Sequence, residues 1–201
     1  MDGTPRDFKY LVDGLDRSRY QPVFYFYPSG MPLQKLGSLF AELLRDASQS
    51  RYFQLRGVIV VAHSMGGLVA LSGLDALCGG GVPSYLKGFV SFNSPYGGIE
   101  AIKSGFGKDA VVVPSWRDIV PGNHFLTQLY QGRAQMGFPF HLFFGYKTGE
   151  SGDGTIALQS QLEPRVHLSA DKSYGFNASH VGILNDDKAR QHFYRVLDTL
   201  K

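Results

Sequence analysis

The sequence predicts an α/β fold, a mostly parallel sheet with helices on both faces, as a single domain over residues 1–201. Three observations predict it. Short apolar runs alternate with amphipathic stretches along the chain. Several of these runs are apolar at every position rather than at every second one, as strands buried on both faces must be. One run, residues 57–61, leads through Ala62-His63-Ser64-Met65-Gly66 straight into a helical pattern, so a serine sits on a sharp strand-to-helix turn.

The elements follow in order. Thr4, Pro5 and Asp7 supply a capping hydroxyl, a proline at the first helical position and a first-turn acid, and Phe8, Leu11, Val12 and Leu15 continue at helical spacing. Residues 22–27, aromatic and β-branched between prolines, read as a short strand. From Pro32 to Gln49 a helix carries Leu33, Leu36, Leu39, Phe40, Leu43 and Leu44 on one side. The strand at 58–61 and the helix after Ser64 follow, the helix ending in Gly79-Gly80-Gly81. Further strands are expected at 86–92, 138–145 and 165–168, and a last helix at 186–200 carries Phe193, Val196, Leu197 and Leu200 on its apolar side. Residues 95–135 interrupt the alternation with Tyr96, Trp116 and Phe125 among other aromatics. A segment this long is either a cap or lid-like insertion or an irregular connection whose aromatics plug the core.

A chain of 201 residues can bury a core without staples, roughly 70% of the surface of its unfolded chain. The one cysteine, Cys78, excludes an intramolecular disulfide framework and a thiolate zinc site, and no metal or cofactor is expected. The 20 basic residues, against 17 acidic, are dispersed, so no nucleic-acid or anionic-membrane footprint stands out. No apolar stretch reaches the ~18 residues of a membrane span, and the first residues lack an apolar signal core. As written the chain reads as soluble and cytoplasmic, an expectation that changes if a signal precedes Met1. Gly105 to Ala110 matches a loose dinucleotide motif but follows no strand and opens no helix.

A serine hydroxyl is a weak nucleophile unless a base takes its proton, and the base needs an acceptor that fixes its tautomer. In parallel sheets of this kind both come from later strand ends, acid before histidine. Asp153, between glycines after the strand at 138–145, suits the acid, with Glu150 and Asp118 in reserve. His180 precedes the last helix. Each has a plainer reading: Ser64 as a helix N-cap, Asp153 as a turn former, His180 as a surface loop residue. The order and context of the three favour the catalytic one. His63 lies inside the turn and is expected to contact neighbouring loops, while His124, His141, His167 and His192 read as packing or surface residues.

With its Ala62-His63-Ser64-Met65-Gly66-Gly67 elbow, Ser94-Pro95 after the next strand, Gly152-Asp153-Gly154 and Ser179-His180-Val181-Gly182, the sequence resembles the serine esterases and lipases of the α/β-hydrolase fold. The resemblance implies a three-layer α/β-hydrolase domain with Ser64 as nucleophile, Asp153 as acid, His180 as base and the Met65 N–H in the oxyanion hole. It further implies a carboxylic ester hydrolase acting on small-molecule or lipid esters. Tyr96, Trp116 and Phe125 are the expected substrate-binding residues. Thioesterase and acyltransferase activities use the same constellation and stay open, as does a catalytically weak scaffold domain. In the family a central strand ending in His-Gly precedes the first helix. Met1 stands where its second oxyanion donor belongs, so the fold is expected to be N-terminally shortened. Either the sequence is a fragment, or the sheet closes directly between 22–27 and 57–61, or another chain fills the gap.

Overall fold

The computed structural model describes residues 3–52, 55–105, 113–130 and 136–200. Four strands, β1 (Val58–His63), β2 (Leu86–Phe92), β3 (Phe140–Tyr146) and β4 (Lys172–Asn177), form one parallel sheet in the order β1-β2-β3-β4. Each strand is added on the same side of the one before. Right-handed crossovers then place every connection between strands on one face. The burial follows that rule. The face formed by Val60, Ala62, Phe89, Phe140 and Leu142 packs against α2 (Leu33–Gln49) and against the crossover helix α3 (Met65–Cys78). Leu126, Leu129 and Val166, from later connections, join the same cluster.

The opposite face, with Val90, Phe92, Phe143 and Phe176, is covered by the two ends of the described chain, α1 (Lys9–Asp13) and α9 (Asp187–Thr199). These two helices are tied to each other. The Tyr194 hydroxyl donates to Leu11 O at 2.9 Å, Tyr10 bonds Asp187, and the Arg190 guanidinium stacks 3.9 Å over the Tyr10 ring. Alternate residues of β2 and β3 thus enter two different cores, which is why apolar residues stand side by side in both strands, as in Phe89-Val90 and Leu142-Phe143. On the other side α2 and α3 cross closely. A Cβ at Gly73 would lie 2.7 Å from the Gly37 carbonyl oxygen, so only glycine permits this approach.

Two expected strands are absent. Residues 165–168 are not extended: α8 (Pro164–His167) occupies them, started by Pro164 and by the Glu163 carboxylate, which accepts from the N–H groups of Arg165 and Val166. A cap and a proline at the first helical position outweigh the β-branched Val166. The last strand is instead β4, beyond the stretch where the pattern predicts one. Residues 22–27 join no ladder either, and none of their backbone groups bonds another described residue. Tyr25 and Tyr27 pack on the α2 side, with the Tyr25 ring 5.2 Å from that of Phe40, while Val23, Phe24 and Phe26 face solvent.

The sheet therefore does not close directly between that segment and β1. In β1 the N–H groups of Val58 and Ser64 reach Tyr85 O and Phe92 O, so even-numbered positions face β2. Ile59, Val61 and His63 turn their backbone groups the other way, where no strand lies among the described residues. Strand propensity without a partner makes no strand.

Of the segment 95–135, residues 106–112 and 131–135 lie outside the described residues. The remainder forms three short helices, α4 (Glu100–Gly105), α5 (Pro114–Asp118) and α6 (His124–Leu129). After β3 a turn leads to α7 (Leu158–Gln161). No described helix is long and apolar enough to cross a membrane.

Candidate functional site

All four strands end at the same edge of the sheet, and each is followed by a polar residue that bears on one point. Ser64 follows β1, Asn93 follows β2, and Asp153 and His180 lie in the loops after β3 and β4. Ser64 is held at φ +55° and ψ −133°, a region a non-glycine residue enters only when its surroundings impose it. Its N–H donates to Phe92 O at 2.9 Å, and its carbonyl accepts from Gly67 at 2.9 Å. Gly67 is needed for this turn, because a Cβ there would sit 1.9 Å from Ser94 Oγ. The methyl of Ala62, two residues before the serine, is accommodated in the core.

The Ser64 hydroxyl lies 2.9 Å from His180 Nε2, and His180 Nδ1 lies 2.7 Å from Asp153 Oδ2. The carboxylate fixes the tautomer: Nδ1 carries the proton and donates to Asp153, leaving Nε2 free to accept from the serine. Asp153 is fully buried, and its other oxygen accepts from the N–H groups of Thr155 (2.8 Å) and Ile156 (2.7 Å). Three donors thus satisfy a carboxylate removed from water, which an unpaired one could not survive at low cost. The backbone joins the same two residues, since His180 N–H donates to Asp153 O at 3.0 Å. In this geometry a proton can leave Ser64 as its oxygen bonds to an electrophile, and the resulting imidazolium is held by Asp153.

The reserve acids are placed elsewhere. Glu150 forms an exposed pair with Lys147, and Asp118 accepts from Leu33 N–H at 2.7 Å, at the start of α2. Met65 opens α3, so its N–H has no intrahelical acceptor and is available beside Ser64. Met1 lies outside the described residues.

Of the three aromatics expected to bind substrate, Tyr96 is buried against Phe140 and Gly67. Phe125 packs in the core and lines a cavity of about 250 Å³ with Pro32, Asp118 and Asn123. Trp116 is 41% exposed. Residues Asn177-Ala178-Ser179 spell a formal glycosylation sequon, and the Asn177 amide donates to Thr148 Oγ1 at 3.0 Å.

Three contributors escaped the sequence reading or were only half seen. Gln161 is buried and braces the loop that carries Asp153, accepting from Gly145 N–H and donating to Gly145 O and Ile156 O. Asn93, at φ +44°, donates from its side-chain amide to His180 O at 3.0 Å. His63 reaches the same carbonyl at 2.8 Å. Burial, and secondarily the nearby His180, push the His63 pKa down to about 4, so its ring is neutral at neutral pH. A polar residue directly after an apolar strand was the one signal available for Asn93.

No protein-family model matches the sequence, and comparison with curated proteins gives no match either. Solved structures do match. The mature lipase BlEst2 of Bacillus licheniformis superposes with a TM-score of 0.62 at 18% identity, covering 85% of this chain and 75% of its own. Lipase B of Aspergillus fumigatus gives 0.58 at 15% identity over 81% of this chain and 41% of its own. The Pyrococcus furiosus esterase PF2001 gives 0.53 at 15% identity over 80% and 60%. With the parallel sheet and the helices on both its faces, this likeness establishes the architecture: the chain has the α/β-hydrolase fold, in a shortened form.

Proposed function

We propose that the chain is a serine hydrolase cleaving carboxylic esters through an acyl-enzyme. The observation that carries the reading is the continuous relay from Asp153 through His180 to a serine oxygen held on a strained, half-buried turn. Ser64 Oγ attacks the ester carbonyl as its proton passes to His180 Nε2. The tetrahedral oxyanion takes a hydrogen bond from the Met65 N–H. Collapse expels the alcohol, which leaves with the proton from His180. Water then attacks the acyl-serine, again with His180 as base, and releases the acid. An alcohol or thiol acceptor in place of that water would give acyl transfer from the same intermediate.

The aromatic segment 95–135 favours an apolar acyl group, with Trp116 or Phe125 lining the acyl pocket. The decisive experiment is reaction with a fluorophosphonate probe, which labels only an activated serine, together with turnover of a short-chain chromogenic ester. Ser64→Ala is expected to abolish labelling and to leave less than a few per cent of the turnover. A folded parent chain that neither labels nor turns over the ester would be a binding domain on the same scaffold.

A further inference from the structure

The His180 carbonyl oxygen receives two side-chain hydrogen bonds from two different strand ends. His63 Nε2 lies 2.8 Å away and Asn93 Nδ2 3.0 Å away. A carbonyl has two lone pairs, so both donors can be accommodated at once. The acceptor also fixes their chemistry: His63 must carry its proton on Nε2, and Asn93 must present its nitrogen. The second contact of Asn93 Nδ2, to Ser179 O at 3.5 Å, agrees with that orientation. The His63 ring lies 4.7 Å from the His180 ring and is braced by an edge-on contact with Phe8 at 6.4 Å. Asn93 is fully buried, and its left-handed backbone is fixed by its N–H bond to Phe143 O at 3.0 Å.

The loop that carries His180 follows β4, the edge strand farthest from Ser64 in the sheet order, so β4 cannot by itself aim the imidazole at the serine. The Asp153 bonds fix one side of His180, through its N–H and its Nδ1. They do not reach its carbonyl oxygen, which His63 and Asn93 hold.

We propose that His63 and Asn93 are positioning residues that clamp the His180 carbonyl from β1 and β2 and so hold Nε2 within reach of Ser64. The inference rests on the reading of Ser64 as a nucleophile and extends it to two residues outside the Ser-His-Asp relay. Displacing a reacting group by about 1 Å is enough to lower a rate by ~10²-fold. The clamp therefore affects the chemical step more than substrate binding. With one donor left the carbonyl is still held, so single losses are milder than the double loss.

The test uses His63→Phe, which keeps a flat apolar ring without a donor, His63→Gln, which returns an N–H near the Nε2 position, Asn93→Gly, which tolerates the positive φ, and the His63→Phe/Asn93→Gly pair. Each donor-less single variant is expected to lower the fluorophosphonate labelling rate and kcat about 10-fold with KM within about twofold. His63→Gln should recover most of that loss, and the double variant should fall by more than the product of the singles. The same loss of order should shift and broaden the low-field proton NMR resonance of the His180 Nδ1–H, while Ser64→Ala leaves it in place.

Full labelling rates in folded His63→Phe and Asn93→Gly overturn the proposal, as does an unchanged resonance in the double variant. If His63→Phe does not fold, Asn93→Gly and His63→Gln decide alone, by rate and by resonance. A parent chain that shows the resonance but no labelling refutes the hydrolase reading and leaves the clamp to be judged by the resonance.

Discussion

The two edges of β1 are built differently. Toward β2 the strand is laddered along its whole length, and beyond it β2, β3 and β4 continue without a break. Toward the other side Ile59, Val61 and His63 present backbone groups to no described strand, and residues 22–27, strand-like in sequence, stay unladdered with Val23 and Phe26 about 70% exposed. Ser64, Asn93, Asp153 and His180 all come from the laddered side and bond to one another there. The geometry of the relay is thus set by four consecutive parallel strands ending at one edge. Substitutions should divide along the same line.

The largest effect is expected at the relay. Asp153→Asn removes the acceptor that sets the His180 tautomer and should lower kcat on the order of 10⁴-fold, as in the serine-protease triad. Glu150→Gln, in an exposed pair, should change it less than about twofold. A reversal of the two, measured on the same ester, would move the acid to Glu150.

Next comes the laddered core. Phe92 is fully buried and packs between Phe143, tilted at 4.6 Å, and Phe193, edge-on at 5.8 Å, so Phe92→Ala should destabilise by about 3–5 kcal/mol in urea unfolding. Loss below about 1 kcal/mol would show that this side is no better packed than the open one.

A smaller term belongs to His63, where the two sides meet. Its pKa is lowered from 6.5 to about 4 in the fold, so the unfolded chain binds more protons between those values. Stability then rises with pH across that window and is lost as pH falls from 6.5 toward 4, by on the order of 2–3 kcal/mol. Burial is the main cause of the shift; nearby His180 also lowers the value, while the bond to the His180 carbonyl and the carboxylates of Asp153 and Asp7 raise it. His63→Gln should flatten the dependence of the urea midpoint over this range. An equally steep slope in that variant would assign the effect to another group.

For substrate choice, Trp116→Ala should raise KM for long acyl chains more than for acetate. Equal changes would return Trp116 to a surface role.

The smallest effect is expected on the open side. Phe26→Ser, at a position 74% exposed, should alter stability by no more than about 0.5 kcal/mol. A loss comparable to Phe92→Ala would mean that residues 22–27 are engaged in solution.

Much of this was legible in the sequence because it is local. Periodicity placed α2, β2 and α9 to within about a residue, and the strand-turn-helix pattern around Ser64 located the turn. The order of serine, acid and histidine selected three residues that the fold brings within hydrogen-bonding distance, since strand ends in a parallel sheet converge on one edge. Only the tertiary structure decided the rest. Whether residues 22–27 form a strand depends on a partner, which no property of those residues supplies. Whether 165–168 is strand or helix turned on a cap at Glu163. The bonds from His63 and Asn93 to one carbonyl span 117 and 87 residues of sequence, and no local pattern encodes a contact at that separation.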